Sequence, residues 1–185
     1  TFLRSAYAAL ATLALGHGPA RADYPERLVK IIVPYPAGGT TDILARILAD
    51  GLDKSFGQRF IVENRPGASG NLGTQAVAQA DPDGYTLLMA TVNTHGINSS
   101  LFKSLPYDPI RDFTPITMAG ATPNIMMAHP SLGVSDVAGL LKLAREKPGT
   151  IDFGSTSTGG SPHMSGELLQ MLAGVKLNHV PYRGG

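Results

Sequence analysis

Leu28-Val29-Lys30-Ile31-Ile32-Val33-Pro34-Tyr35-Pro36-Ala37-Gly38-Gly39-Thr40-Thr41-Asp42 runs from an apolar segment rich in β-branched residues, through a proline- and glycine-bearing turn, into the helix expected over Ile43 to Phe56. Continuous β-branched character marks a strand buried on both faces, as in a parallel sheet, and Pro34 ends it. Two glycines let backbone approach a ligand closely, and the following helix offers its free N–H groups and positive dipole end to whatever sits in the turn. The stretch reads as strand, anion-accepting turn and helix. The helix sets Ile43, Leu44, Ile47, Leu48, Leu52 and Phe56 along one face and Arg46, Asp50 and Lys54 on the other, so the apolar row is expected against the sheet.

The pattern recurs downstream. Phe60-Ile61-Val62 is a short strand followed by the glycine-rich turn Asn64 to Gly73 and a helix over Leu72 to Ala80. Asp81-Pro82-Asp83-Gly84 is a turn, Tyr85 to Ala90 a third buried strand, and Thr91 to Gly96 a polar loop after it. In an open parallel sheet the ligand crevice lies outside the carboxyl ends of the strands, where these three loops converge. Apolar stretches at Ile116 to Ala121 and Asn124 to Ala128 mark a domain crossover. Beyond it, Ser135-Asp136 caps a helix reaching Lys147, Ile151 to Phe153 is a strand, and Gly154 to His163 is a loop rich in glycine and hydroxyls. That loop opens a helix, Met164 to Ala173, which leads to a strand at Leu177 to Pro181. The fold class expected is α/β.

Composition narrows the function. The 185 residues are 43% hydrophobic and 16% charged, ordinary for a globular chain, with 22 glycines and 14 prolines clustered between periodic segments. Lys plus Arg number 15 against 14 acidic residues and aromatics are 6%, so neither a phosphate-tracking stripe nor a base-stacking platform is visible, and nucleic acid is not an expected partner. The absence of cysteine rules out thiol chemistry and thiolate metal sites.

Residues 1–22 carry no acid, an apolar run after Arg4 and small residues at Ala20 and Ala22, the pattern of a secretory signal peptide whose start is clipped. Cleavage there leaves 15 − 2 = 13 basic and 14 acidic residues, and places the protein in a bacterial periplasm. No H-E-x-x-H motif or other metal-ligand spacing and no G-x-S-x-G elbow are present, so neither a metal site nor a hydrolase centre is expected. Asp42, in the first helical turn, is most simply a dipole-complementing or capping group. The methionines read as packing residues.

Together, Tyr24-Pro25, Val33 to Gly39 with Asp42, Glu63 to Gly70, Asp83 to Leu88, Gly154-Ser155 through His163 and Val180 to Gly184 resemble the receptors of tripartite tricarboxylate transporters, known as Bug-type receptors. The resemblance covers Tyr24 to Gly185. It implies a periplasmic-binding-protein-like (type II) fold of two α/β domains with a hinge, with domain 1 over 23–123 and a partial domain 2 over 124–185. The family continues past Gly185, so an N-terminal fragment is expected. Also implied is a monomer that captures a small carboxylate between its domains and passes it to a membrane permease, without cofactor or catalysis. By position, one side of the clamp comprises Tyr35, Ala37, Gly38, Gly39, Thr40 and Asp42, with Asn93, Thr94 and His95 nearby. The other comprises Ser155, Thr156, Ser157, Ser161 and His163, Ser157 standing where the family often has glycine. Two other roles compete: a ligand sensor for a membrane kinase, and an α/β hydrolase-like enzyme using Ser161 or His163.

Overall fold

The computed structural model describes residues 24–182; the expected signal peptide lies outside them. The first sheet comprises β1 (Val29–Val33), β2 (Phe60–Asn64) and β3 (Thr86–Leu88), all parallel in the order β2-β1-β3. Helix α1 (Thr40–Phe56) connects β1 to β2, and α2 (Asn71–Ala78) lies between β2 and β3. The apolar run at Leu28 to Val33 thus becomes the central strand, with Val29, Ile31, Ile32 and Val33 all buried. A short helix, α3 (Asn98–Leu101), follows the third loop. The second sheet pairs β4 (Asp152–Ser155) in parallel with β5 (Asn178–Pro181), flanked by α4 (Val137–Glu146) and α5 (Ser161–Ala173). The α/β expectation holds.

Helix α1 turns differently from the expected face. Its buried residues are Asp42, Ala45 and Ala49. Ile43 and Ile47 are 52% and 64% exposed, and Phe56 is also exposed. Ala45 and Ala49 join the core formed by Val29, Ile31, Val33, Tyr35 and Phe60. Small side chains allow the helix backbone to come close to the sheet, while Leu44, Leu48 and Leu52 flank that contact half-buried. Strand β3 is half-buried rather than buried, because it forms an edge of this sheet.

Residues 113–129 carry no regular secondary structure. Met118 and Met127 are 81% and 87% exposed, and Ile116, Ile125 and Met126 are exposed as well, so the expectation that the methionines are packing residues fails for this segment. Met171, on α5, is exposed too.

Candidate functional site

The order β2-β1-β3 creates a topological switch point: the chain moves from β1 to one side, then crosses back to the other. The loops after β1 and β3 meet there. Tyr35 Oη lies 2.7 Å from Thr91 Oγ1, joining the two loops by a hydrogen bond. Burial raises the Tyr35 phenol above its ordinary value, so it serves as a neutral hydroxyl.

Beneath the first loop, Asp42 organises the turn. It is 3% exposed. Its Oδ2 accepts the Gly38 N–H (2.9 Å) and Arg46 Nε (3.0 Å), and its Oδ1 accepts Asn64 Nδ2 (2.9 Å). Asn64 Nδ2 also reaches the Tyr35 carbonyl at 3.1 Å, so the same knot ties β2 to the loop. The Arg46 hydrogen bond, seconded by the Gly38 N–H, lowers the Asp42 carboxyl to about 2. Gly38, at φ +87°, occupies the left-handed region that glycine tolerates, and its N–H faces Asp42. Ala37 and Thr40 are left exposed at the rim.

The third loop closes in a π-turn, Asn93–Ile97, an irregularity frequent at functional sites. Thr94 is fully buried; its Oγ1 bonds both the N–H and the carbonyl of Thr91 at 3.1 Å, and His95 Nδ1 at 2.9 Å. His95 packs edge-on against Phe113, and burial lowers its pKa. Tyr107 Oη donates within reach of Thr94 O (2.8 Å) and Asn71 Oδ1 (2.9 Å), while Asn98 Nδ2 bonds Asn71 Oδ1 and Ser69 O. Thr94 and His95 therefore brace the loop from within. Asn93 instead extends toward the second sheet: a Cβ at Gly160 would lie 3.5 Å from its Nδ2.

The fourth loop is stitched to the second sheet. Ser155 is buried, with Oγ 2.7 Å from His179 Nε2 and 3.1 Å from the Ser157 carbonyl. His163 Nδ1 accepts the Gly159 N–H at 2.9 Å, and its ring stacks on His179 with centroids 3.7 Å apart. A serine hydroxyl beside an imidazole is the start of a nucleophilic dyad. Here the hydroxyl is buried, its partner's ring is covered by His163, and both side chains fasten a loop. Thr156 is exposed, Ser157 half-buried, and Ser161 accepts a 2.9 Å hydrogen bond from Asn124 Nδ2. Among the described residues, no three potential metal ligands are grouped.

The helices opening from the first and fourth loops share a feature. α1 begins at Gly39 and α5 at Gly160, both extended in backbone and both without a side-chain cap. α4, remote from the loops, is capped by Asp136, which accepts the Gly139 N–H at 2.7 Å. First-turn N–H groups have no intrahelical acceptor. Those of α1, and those of α5 apart from Pro162, which has none, lack an acceptor within their helices, and Gly160 at the start of α5 lies beside Asn93 of the third loop.

The clamp inferred from the sequence omitted Ser69, whose Oγ reaches Thr158 O at 3.3 Å. It lies in a run of positive φ from Gly67 to Gly70 that includes Ala68 and Ser69, a costly backbone for non-glycine residues. The glycines announced a turn, but its contact with the fourth loop is tertiary. Asn124, which also bonds Ser165 Oγ, was absent from the set as well. Two shallow concavities lie beside α4 and along 99–111.

The chain is similar to known proteins of one family. A family model described as "Tripartite tricarboxylate transporter family receptor" matches residues 44–185. Protein BugT of Bordetella pertussis is 38% identical over 168 residues, 90% of this chain and 52% of BugT. Among solved structures, Rpa4515 of R. palustris with adipate is 39% identical with a TM-score of 0.83, covering 87% of this chain and 54% of that one. MatC of Rhodopseudomonas palustris with bound malate is 32% identical with a TM-score of 0.78, covering 87% and 55%. The chain spans about half the length of the relatives it matches.

Proposed function

The chain belongs to the tripartite tricarboxylate transporter receptor family, and from that premise we propose that it is the carboxylate-capturing part of a periplasmic solute-binding receptor, working without catalysis and delivering its ligand to membrane permease subunits. Residues 23–123 and 124–185 then belong to two lobes, and the ligand sits between the loops that follow β1 and β4. The observation that carries this reading is that α1 and α5, behind those two loops, both start without a side-chain cap at a glycine in extended conformation. A carboxylate at each end of a small diacid supplies the acceptors that these N–H groups lack.

Direct contact is assigned to Ala37, Gly39, Thr40 and Asn93 on one side, and to Thr156, Ser157 and Ser161 on the other. Tyr35, Gly38, Asp42, Thr94, His95, Ser155 and His163 hold those contacts in place through the hydrogen bonds described above. With no arginine in the set, affinity rests on backbone dipoles and hydroxyls, which suits a diacid of variable length. That adipate and malate, differing in length, are bound by similar structures supports the class.

Calorimetric titration of the protein expressed from its complete gene with adipate, malate and a panel of mono- and tricarboxylates tests the reading. Saturable binding of at least one acid, recovered chemically unchanged, is expected. A bound state at a hundredfold excess over Kd adds about 2.7 kcal/mol of stability, readily visible in unfolding. Failure of every carboxylate to bind a folded protein rejects the proposal, and ligand turnover rejects its non-catalytic part.

A further inference from the structure

Between Ser157 and Ser161, the turn Thr158-Gly159-Gly160 meets residues of the first sheet's loops that take no part in the ligand contacts assigned above. Gly159 and Gly160 are buried although they lie in a loop. Leu101, at the end of α3, is what covers Gly159: a Cβ on this glycine would collide with Leu101 Cδ2. Only a residue without a side chain admits that approach, and at φ +78° the backbone itself favours glycine. One residue earlier, the Thr158 carbonyl accepts a long hydrogen bond from Ser69 Oγ, 3.3 Å away and 89 residues back along the chain.

Both partners are fixed from beneath by α3. Asn98, its first residue, is fully buried, and its Nδ2 donates to the Ser69 carbonyl at 3.0 Å and to Asn71 Oδ1 at 2.7 Å. Ala68 and Ser69 stand at φ +47° and +55°, a conformation that persists in non-glycine residues only where the surroundings over-determine it. Asn98 supplies that constraint on one side. On the other, Gly70 is packed so closely that a Cβ would lie 2.9 Å from Thr94 Cγ2 and 3.2 Å from Tyr35 Oη. Leu101 follows Asn98 by three residues and so lies on a neighbouring position of the same helix face. It remains 42% exposed, so the core of its own sheet does not account for its placement.

We propose that Ser69 and Leu101 are positioning residues that form a catch for the Thr158–Gly159 turn, holding Ser157 and Ser161 on a captured ligand and slowing its escape. The effect on ligand rests on the receptor reading; the catch between the loops does not. A contact completed only after the ligand has entered leaves the encounter unchanged and adds to the barrier for leaving, so it acts on koff rather than kon. One half of the catch is apolar and the other a hydrogen bond between neutral groups, and neither touches the ligand. The same factor therefore applies to adipate and to malate.

The experiment reads ligand and loops separately, in the protein expressed from its complete gene. Association and dissociation of adipate and malate are followed by stopped flow. Leu101→Ala should raise koff roughly fivefold and Ser69→Ala roughly threefold, with kon changed less than about twofold. Leu101→Met, which keeps the volume, should restore the wild-type rate. Gly159→Ala should raise koff about tenfold, and adding Leu101→Ala to it should lower koff again, because the collision is gone while the backbone strain stays. That reversal of sign is one that a merely loosened loop would not give. Nitroxides on cysteines introduced by Lys54→Cys and Lys142→Cys, both exposed positions, report the separation of the two sheets with and without adipate. The wild type should show a population at the separation seen here, depleted in Leu101→Ala and Ser69→Ala and kept in Leu101→Met. Rates and distances that are unchanged in both alanine variants, a rise in koff that Leu101→Met shares, or a double variant that releases ligand faster than Gly159→Ala overturns the proposal. Distances that respond as expected while neither diacid binds uphold the catch and count against these diacids as ligands of the receptor.

Discussion

Replacing Asp42 by Asn tests whether the first loop is built from beneath by a carboxylate. The side chain is nearly isosteric, so packing around Ala45 and the sheet is preserved. What changes is hydrogen bonding, because Asp42 faces only donors: the Gly38 N–H, Arg46 Nε and Asn64 Nδ2. Whichever way the new amide turns, its NH2 meets a donor, and an unsatisfied buried polar group costs about 1–3 kcal/mol. Charge adds to this. The fall from the ordinary 3.8 to about 2 corresponds to about 2 kcal/mol at neutral pH, trimmed to roughly 1–2 because the Arg46 side chain is half-exposed and screened by solvent. Together they predict a loss of about 2–5 kcal/mol in urea unfolding at pH 7. Since the folded-state value is depressed, the charge-dependent part is present above pH ~4 and disappears as pH falls toward 2, so the gap between wild type and variant should narrow only in that window. A gap under about 0.5 kcal/mol, or one that stays constant between pH 7 and pH 3, refutes the argument.

Two glycine substitutions separate framework from site. At Gly73, a Cβ would come within 2.7 Å of the Arg65 carbonyl and 2.9 Å of Pro34 Cα. Both neighbours are backbone, so Gly73→Ala should destabilise by about 1–3 kcal/mol in thermal or urea unfolding. At Gly160 the backbone is in an ordinary extended conformation and the nearest neighbour is the Ser157 hydroxyl, a side chain that can rotate away. Gly160→Ala should therefore change stability by less than about 1 kcal/mol while lowering dicarboxylate affinity at least tenfold by calorimetry, because its methyl enters the gap between Ser157 and Asn93.

The strands and helices were legible because their signals are local. A β-branched run closed by proline, glycine at helix starts and stops, and Asp136 before an amphipathic segment specify elements within a few residues of themselves. The face that α1 buries was not legible. Its isoleucines carry the greater hydrophobicity, but Ala45 and Ala49 allow the closer approach to β1, and close approach depends on the partner surface. Loop positions at the sheets' carboxyl ends followed from strand order, which is why Tyr35, Asn93 and Ser155 were expected at the ends of β1, β3 and β4, where the structure has them. Their roles were set by contacts across 24 to 56 residues of chain, such as Ser155 with His179 and Tyr35 with Thr91. A list of polar residues could not distinguish a ligand donor from the side chain that braces it.

The position of β1 at the centre of its sheet also sets an order of events during synthesis. Its first edge is closed by β2, with Val29 opposite Phe60, and its second by β3, with Lys30 opposite Thr86. A strand of almost wholly apolar residues must therefore leave the ribosome with both ladders unmade, and the second can form only after some fifty-six further residues have followed it. Parallel pairings at such separations form slowly, since loop closure precedes any gain from the contact. Until Thr86 is in place, the second edge of this strand stays unpaired, an open ladder of the kind that other chains can join.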